Sequence, residues 1–378
     1  MKIIYLLLIS ILIFSFSLQA QKDTKKSMFR DHEDDAFDVS NFLNSTAGFL
    51  PVPSIITEPA VGYGGMLALI YFHKRKEQGV RPLGLSPTMT FGGGAYTENG
   101  TWAAFVGHQG SYHKDRYRYT GLLGYVSPNL TFYNSSLIPG RELSLEFNIE
   151  GSAVFQEFLF RPKKTIPFFT GLNYIYFSNE VTFESNLNIP GLDKLTRKTN
   201  MAGMNATFLY DKRNNTFTPT TGVYAQLEIG AFSEKLGGDS DFYNFDARVY
   251  AYAPIVKDKL FSGYRIHLAS KGDDAPFYAQ PYVKLRGIPA MRYQNHNIMT
   301  LETEWRWQFY KRWSLVGFMG AGEAVKDIED IDGDFHAAGG GGFRYFLAKQ
   351  YGIHAGVDVA KSSEDWAWYL TVGSNWLR

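Results

Sequence analysis

Met299-Thr300-Leu301-Glu302-Thr303-Glu304-Trp305-Arg306-Trp307-Gln308-Phe309 is the stretch on which the fold turns. Met299, Leu301, Trp305, Trp307 and Phe309 are apolar, while Thr300, Glu302, Glu304, Arg306 and Gln308 between them are polar or charged. Side chains of a strand point alternately to its two faces, so this segment has one apolar face and one wet one. The same period recurs elsewhere. In 143–150, Leu143, Leu145, Phe147 and Ile149 alternate with Ser144, Glu146, Asn148 and Glu150. In 223–231, Val223, Ala225, Leu227, Ile229 and Ala231 alternate with Tyr224, Gln226, Glu228 and Gly230. In 366–376, Trp366, Trp368, Leu370, Val372 and Trp376 oppose Ala367, Tyr369, Thr371, Gly373 and Asn375.

The compartment follows from the first residues. Lys2, the apolar run 3–16 and Ser17-Leu18-Gln19-Ala20 have the layout of a secretory leader. The chain has no Cys, which excludes a lipoprotein anchor and a disulfide framework. Beyond the leader the longest apolar run, Met66 to Phe72, is far short of the roughly 20 residues a spanning helix needs. With 38 basic and 37 acidic residues the chain offers no surplus charge for nucleic acid.

An exported, aromatic-rich, alternating chain is either a soluble β-sandwich or a membrane barrel. A sandwich turns its polar face to solvent and spaces its connections evenly. Here short turns (Glu98-Asn99-Gly100, Lys257-Asp258-Lys259, 347–351) alternate with longer loops (74–85, 188–199, 276–297, 325–336). That asymmetry predicts short turns at one rim and long loops at the other, with the sheet closed so that no apolar edge is left bare. The expected fold is all-β: a transmembrane antiparallel β-barrel of about 16 strands in the outer membrane of a diderm bacterium, with a long loop folded into its lumen. The expected organisation is a leader over 1–20, a periplasmic extension over 21–58 with a short helix near Ala36 to Leu43, and a barrel over 59–378. The segment 127–187 reads as either one long strand or two.

Four motifs then resemble the BamA/TamA-like superfamily of outer-membrane assembly and translocation barrels, of the surface-antigen type. Lys284-Leu285-Arg286-Gly287-Ile288-Pro289 resembles that family's Val-Arg-Gly-aromatic motif, on the loop after its eleventh strand. Asp211-Lys212-Arg213 with 218–222 resembles the turn into its ninth strand, Gly341-Gly342-Phe343-Arg344-Tyr345 its fourteenth strand, and 371–376 its closing strand. The sequence departs from the family in three respects. Residues 21–58 are too few for even one POTRA domain; Ile288 replaces the motif's aromatic and Gly320 stands where the family carries a strand acid; and Trp376-Leu377-Arg378 runs two residues past the family's usual terminal aromatic.

The resemblance implies that Arg286 lies inside the barrel and pairs with acids of the lumen wall. Parity independently turns Glu302 and Glu304 inward, with Arg344 and Asp358 beside them. The expected tether is Arg286 to Glu302, with Gly287 in the motif and Glu304 as second partner. It also implies a labile seam between first and last strands, with Gly62, Gly64 and Gly65 opening the first and Gly373 and Trp376 in the last. The function expected is protein or lipid transport or assembly, with outer-membrane lipid and accessory proteins as partners. A passive channel is the alternative, and a lipid-modifying enzyme a third. For the enzyme, His108, Ser111 and His113 cluster on one hairpin without a recognisable third group. The acidic stretch 330–334 lacks the ligand spacing of a calcium loop, so no cofactor, metal or catalytic residue is expected.

Overall fold

The computed structural model describes residues 28–45, 49–73, 88–138, 141–184, 194–363, 366–374 and 376. The leader 1–20 and the whole of the expected loop 74–85 lie outside these residues. Seventeen strands follow in order: β1 (Phe49–Ile56), β2 (Gly64–Phe72), β3 (Met89–Thr97), β4 (Trp102–Tyr112), β5 (Tyr117–Ser127), β6 (Asn129–Ile138), β7 (Arg141–Phe160), β8 (Phe168–Glu184) and β9 (Lys194–Asp211). They continue with β10 (Gly222–Phe232), β11 (Phe242–Val256), β12 (Leu260–Lys271), β13 (Asn297–Tyr310), β14 (Trp313–Val325), β15 (His336–Ala348), β16 (Ile353–Ser362) and β17 (Trp366–Val372).

Each strand pairs antiparallel with its neighbour in sequence, with one exception. β5 and β6 are separated by Pro128 alone and lie end to end along β7. Proline has no N–H to give the ladder, so the strand breaks there without leaving the wall. Among the described residues seventeen elements therefore occupy sixteen wall positions, and the described part of 127–187 resolves into β6, β7 and β8 after the end of β5. β1 comes back alongside β17, so the sheet curls into a barrel. Among the described residues no register pairs those two strands.

Outward positions are apolar and exposed. Leu301, Trp305, Trp307 and Phe309 on β13, Tyr264, Ile266 and Leu268 on β12, and Trp313 and Leu315 on β14 form one belt. The inward positions of the same strands are buried and polar: Thr300, Glu302 and Arg306, Arg265 and His267, and Ser314. This is the inverse of a soluble core and the order a lipid-facing barrel needs.

Four expectations are corrected by the registers. The sheet begins at Phe49, ten residues before the expected boundary at 59, because β1 pairs with β2 along its whole length. Gly62 therefore lies in the β1–β2 connection, and Gly64 and Gly65 open the second strand, not the first. The alternation of long and short connections also fails near the start. Counting strands back from the β13–β14 turn, β2 ends and β3 begins at the same rim as Lys257-Asp258-Lys259, and the tight turn 98–101 lies at the opposite rim. Finally, in 143–150 Phe147 and Ile149 point inward and are buried, while Glu146 and Glu150 are exposed outside. At 20 residues β7 is about twice the length that spans a bilayer, so this end stands clear of the apolar belt.

The segment before the barrel is docked, not free. A short helix, α1 (Ser40–Ser45), follows an acidic turn whose carboxylates converge on Arg312 in the β13–β14 turn. Arg312 meets Asp31 at 2.6 Å, Asp34 at 2.7 Å and Asp38 at 2.6 Å. Lys349, after β15, pairs with Glu33, and Val39 N–H donates to Leu347 C=O at 3.0 Å. The acidic lead of the sequence is thus held by one cation from each of two barrel turns.

Candidate functional site in the lumen

The connection between β12 and β13, residues 272–296, crosses the lumen from wall to wall. On one side Met291 and Phe277 pack on Phe147, Ile149 and Val181 of β7 and β8. On the other, Val283, Leu285 and Ile288 pack with Ala338 of β15. The inverted face of β7 is thereby explained: it is apolar because the loop rests on it. Gly320 is explained too. A Cβ there would stand 2.7 Å from Leu285 Cδ2, so the absent strand acid makes room for the loop.

Arg286 lies at the middle of this crossing, with 6% of its side chain exposed. Its Nη2 and Nε donate to Glu302 Oε1 at 2.9 and 3.2 Å, and its Nη1 lies 2.9 Å from Asp358 Oδ2 and 2.8 Å from Glu304 Oε2. The guanidinium also lies 3.5 Å from the ring centroid of Phe318. Only a planar fork serves three carboxylates and a ring face together. Gly287 follows with φ +93°, and a Cβ on it would meet Ala360 at 3.2 Å. Its N–H donates to Tyr369 Oη at 2.9 Å and its C=O accepts from Ser362 Oγ at 2.7 Å. A side chain is excluded twice, by conformation and by space, which is why Arg-Gly occurs as a unit.

Arg344 grips Asp358 with both nitrogens, at 2.5 and 2.8 Å. Arg265 reaches Glu302 Oε2 at 3.2 Å and the Lys284 carbonyl at 2.9 Å. Three arginines thus face Glu302, Glu304 and Asp358, and the buried charges cancel. Arg265 was not anticipated, although it is registered directly opposite Glu302 and alternates with Tyr264 and Ile266. Cross-strand parity carried that signal.

Trp376 is the larger correction. β17 ends at Val372, and Gly373 at φ +81° turns the chain off the wall instead of interrupting a strand. Trp376 then points into the lumen, not along the seam. It packs on Tyr250 and Tyr252, and its Nε1–H donates to Glu302 Oε2 at 2.7 Å. The alternation template failed because it ran past a bend that only backbone geometry reveals.

Toward the rim that carries α1, the lumen holds a polar cavity of about 450 Å³ lined by Arg118, Glu157, Asp211, Arg213 and Tyr224. Arg213 of the Asp-Lys-Arg motif pairs with Asp211 at 2.8 Å and stacks on Tyr224 at 4.3 Å. Residues 103–282, including this motif, match the model of the Omp85 superfamily domain. That match takes in a little under half of the chain. The barrel's fold is similar to BamA from Haemophilus ducreyi lacking POTRA domains 1–3, with TM-score 0.57 and 11% identity over 87% of this chain and 70% of that one. It is also similar to CdiB from Escherichia coli and from Acinetobacter baumannii, each with TM-score 0.54 and 10% identity. These cover 85% and 86% of this chain but only 62% and 59% of the CdiB chains. At such identities the likeness is one of fold. No curated protein matches the chain in sequence.

The hairpin histidines do not assemble a nucleophile. His108 lies on the outer face of β4, bonded to Thr90 at 2.8 Å and Tyr112 at 2.6 Å. Ser111 lies on the inner face and donates to Asp115 at 2.7 Å, and His113 occupies the turn.

Proposed function

We propose that the chain spans the outer membrane of a diderm bacterium as an assembly or transport barrel acting with partner proteins, its N-terminal segment on the periplasmic side. The observation that carries this is the occupied lumen: a loop anchored on two opposite walls, with Arg286 shared among Glu302, Glu304 and Asp358. An open pore has no need of such a crossing, because every group in it obstructs flow. The likeness to Omp85-type barrels supports the same reading, as does the docked segment 28–45, which leaves its rim accessible to an accessory protein beside the 450 Å³ cavity. The Arg286–Glu302 contact is read here as structural, holding the loop in place without touching any reacting group.

The test is single-channel conductance of the purified protein in planar bilayers, wild type against Arg286→Ala. The expected result is a nearly closed wild type and a leaky variant. A large steady conductance, the same in both, would sink the tether and restore the passive channel.

A further inference from the structure

The outer wall carries a carboxylate where its neighbours are apolar. Leu268, Met299 and Glu323 stand side by side on the outward face, by the registers of β12 with β13 and β13 with β14. A charge on the lipid face of a barrel is unfavourable, most at mid-depth and less near the rims. Ionisable side chains in such places mark sites more often than accidents.

Glu323 is only 5% exposed, because the connection after β14 folds down over it. Asp332 N–H approaches Oε1 at 3.4 Å. Oε2 is buried and has no hydrogen-bond partner among the described residues. The same connection turns Ile328 and Ile331 outward, 68% and 42% exposed. Between them and the wall runs an apolar groove of about 440 Å³, lined by Phe245, Leu268, Met299 and Val325, with Glu323 in its lining. Its rim end is polar, where Ser270 donates to Asn297 at 2.6 Å and Asn297 to the Lys326 carbonyl at 2.5 Å.

We propose that this groove binds one acyl chain of an outer-leaflet lipid whose head carries an N–H or O–H donor, and that the donor is taken by Glu323 Oε2. The occupant follows from position: the groove is continuous with the apolar belt, so lipid is what surrounds it, and its polar end lies at the rim where strands stop. Glu323 sits two residues below the end of β14, within reach of a head group at that level. The inference rests on the orientation proposed above, which places this rim outermost. It adds a ligand on the opposite face of the wall from the lumen network.

The protein is reconstituted in phosphatidylcholine vesicles containing phosphatidylethanolamine with identical chains, and lipid retained by the released protein is read by native mass spectrometry. The ethanolamine ammonium offers N–H donors and the choline head none. Wild type is expected to retain the ethanolamine lipid roughly tenfold over the choline lipid, the scale of one charge-assisted hydrogen bond. Glu323→Gln, which puts an amide donor where the acceptor was, is expected to abolish the preference. Met299→Trp, filling the groove, is expected to reduce retention of both lipids. Heat-modifiable gel migration checks that both variants are folded. Equal retention of the two lipids by wild type, or an unchanged preference in Glu323→Gln, overturns the proposal. Either result leaves the conductance of the lumen untouched, so this reading and the preceding one fail separately.

Discussion

Arg286 is where chemistry and geometry meet most tightly, and its substitutions separate the two. Arg286→Ala removes the guanidinium that Glu302, Glu304 and Asp358 share, leaving Arg265 on Glu302 and Arg344 on Asp358; a buried pair that loses one member costs about 3–5 kcal/mol. Urea titration of heat-modifiable folded barrel should show that loss. Arg286→Lys keeps the charge but not the fork, and should recover less than half of the midpoint shift. A lysine variant as stable as wild type would mean that charge alone suffices. Trp376→Phe keeps the packing on Tyr250 and Tyr252 and removes only the N–H to Glu302, so it should cost about 1–3 kcal/mol in the same titration. The motif around Arg286 and the parity of Glu302 were legible in the sequence because each depends on near neighbours. Arg265 and Trp376 were not, because their importance lies in which strand stands opposite and where the backbone bends.

Among the elements, β1 is the one whose composition is odd. Pro51 and Pro53 have the same parity in a strand that is registered with β2 from end to end. Their missing N–H groups therefore fall together on the other edge, the one beside β17. Prolines on an edge blunt it against pairing. Replacing both by Ala should restore two donors and tighten the seam by about 0.5–1.5 kcal/mol per bond formed. Hydrogen–deuterium exchange of β1 and β17 amides should slow; if exchange stays as fast as in wild type, the prolines are not what keeps the edges apart. Periodicity made the strands legible but not this edge, since alternation of side chains says nothing about backbone donors. It likewise could not say which face of β7 meets the loop, nor at which rim β2 ends and β3 begins.

At the scale of the molecule, the N-terminal segment and the barrel behave as one electrostatic unit. The hydrogen bond from Arg312 holds Asp34 below the usual carboxylate range. Burial pushes Asp38 up, but hydrogen bonds from Ser40 and Arg312 outweigh it and hold it low. Lys349 is raised by its bond to Glu33. Depressed acids stabilise docking above their unfolded values and lose that contribution as pH falls through the folded ones, below about 4. The raised lysine contributes fully below about 10.4 and is lost as pH rises through its higher folded value. Limited proteolysis of 28–45 should therefore be slow from about pH 4 to 10 and fast below, with Arg312→Ala fast throughout; a variant as resistant as wild type would show that the carboxylates are not the attachment. The other extremity has a different consequence. Trp376 comes after the last described strand, yet its indole completes the donor set of Glu302 at the centre. The middle of the barrel therefore cannot be finished until the wall has been threaded to its end, and a half-made molecule differs from a whole one in whether that carboxylate has met its indole.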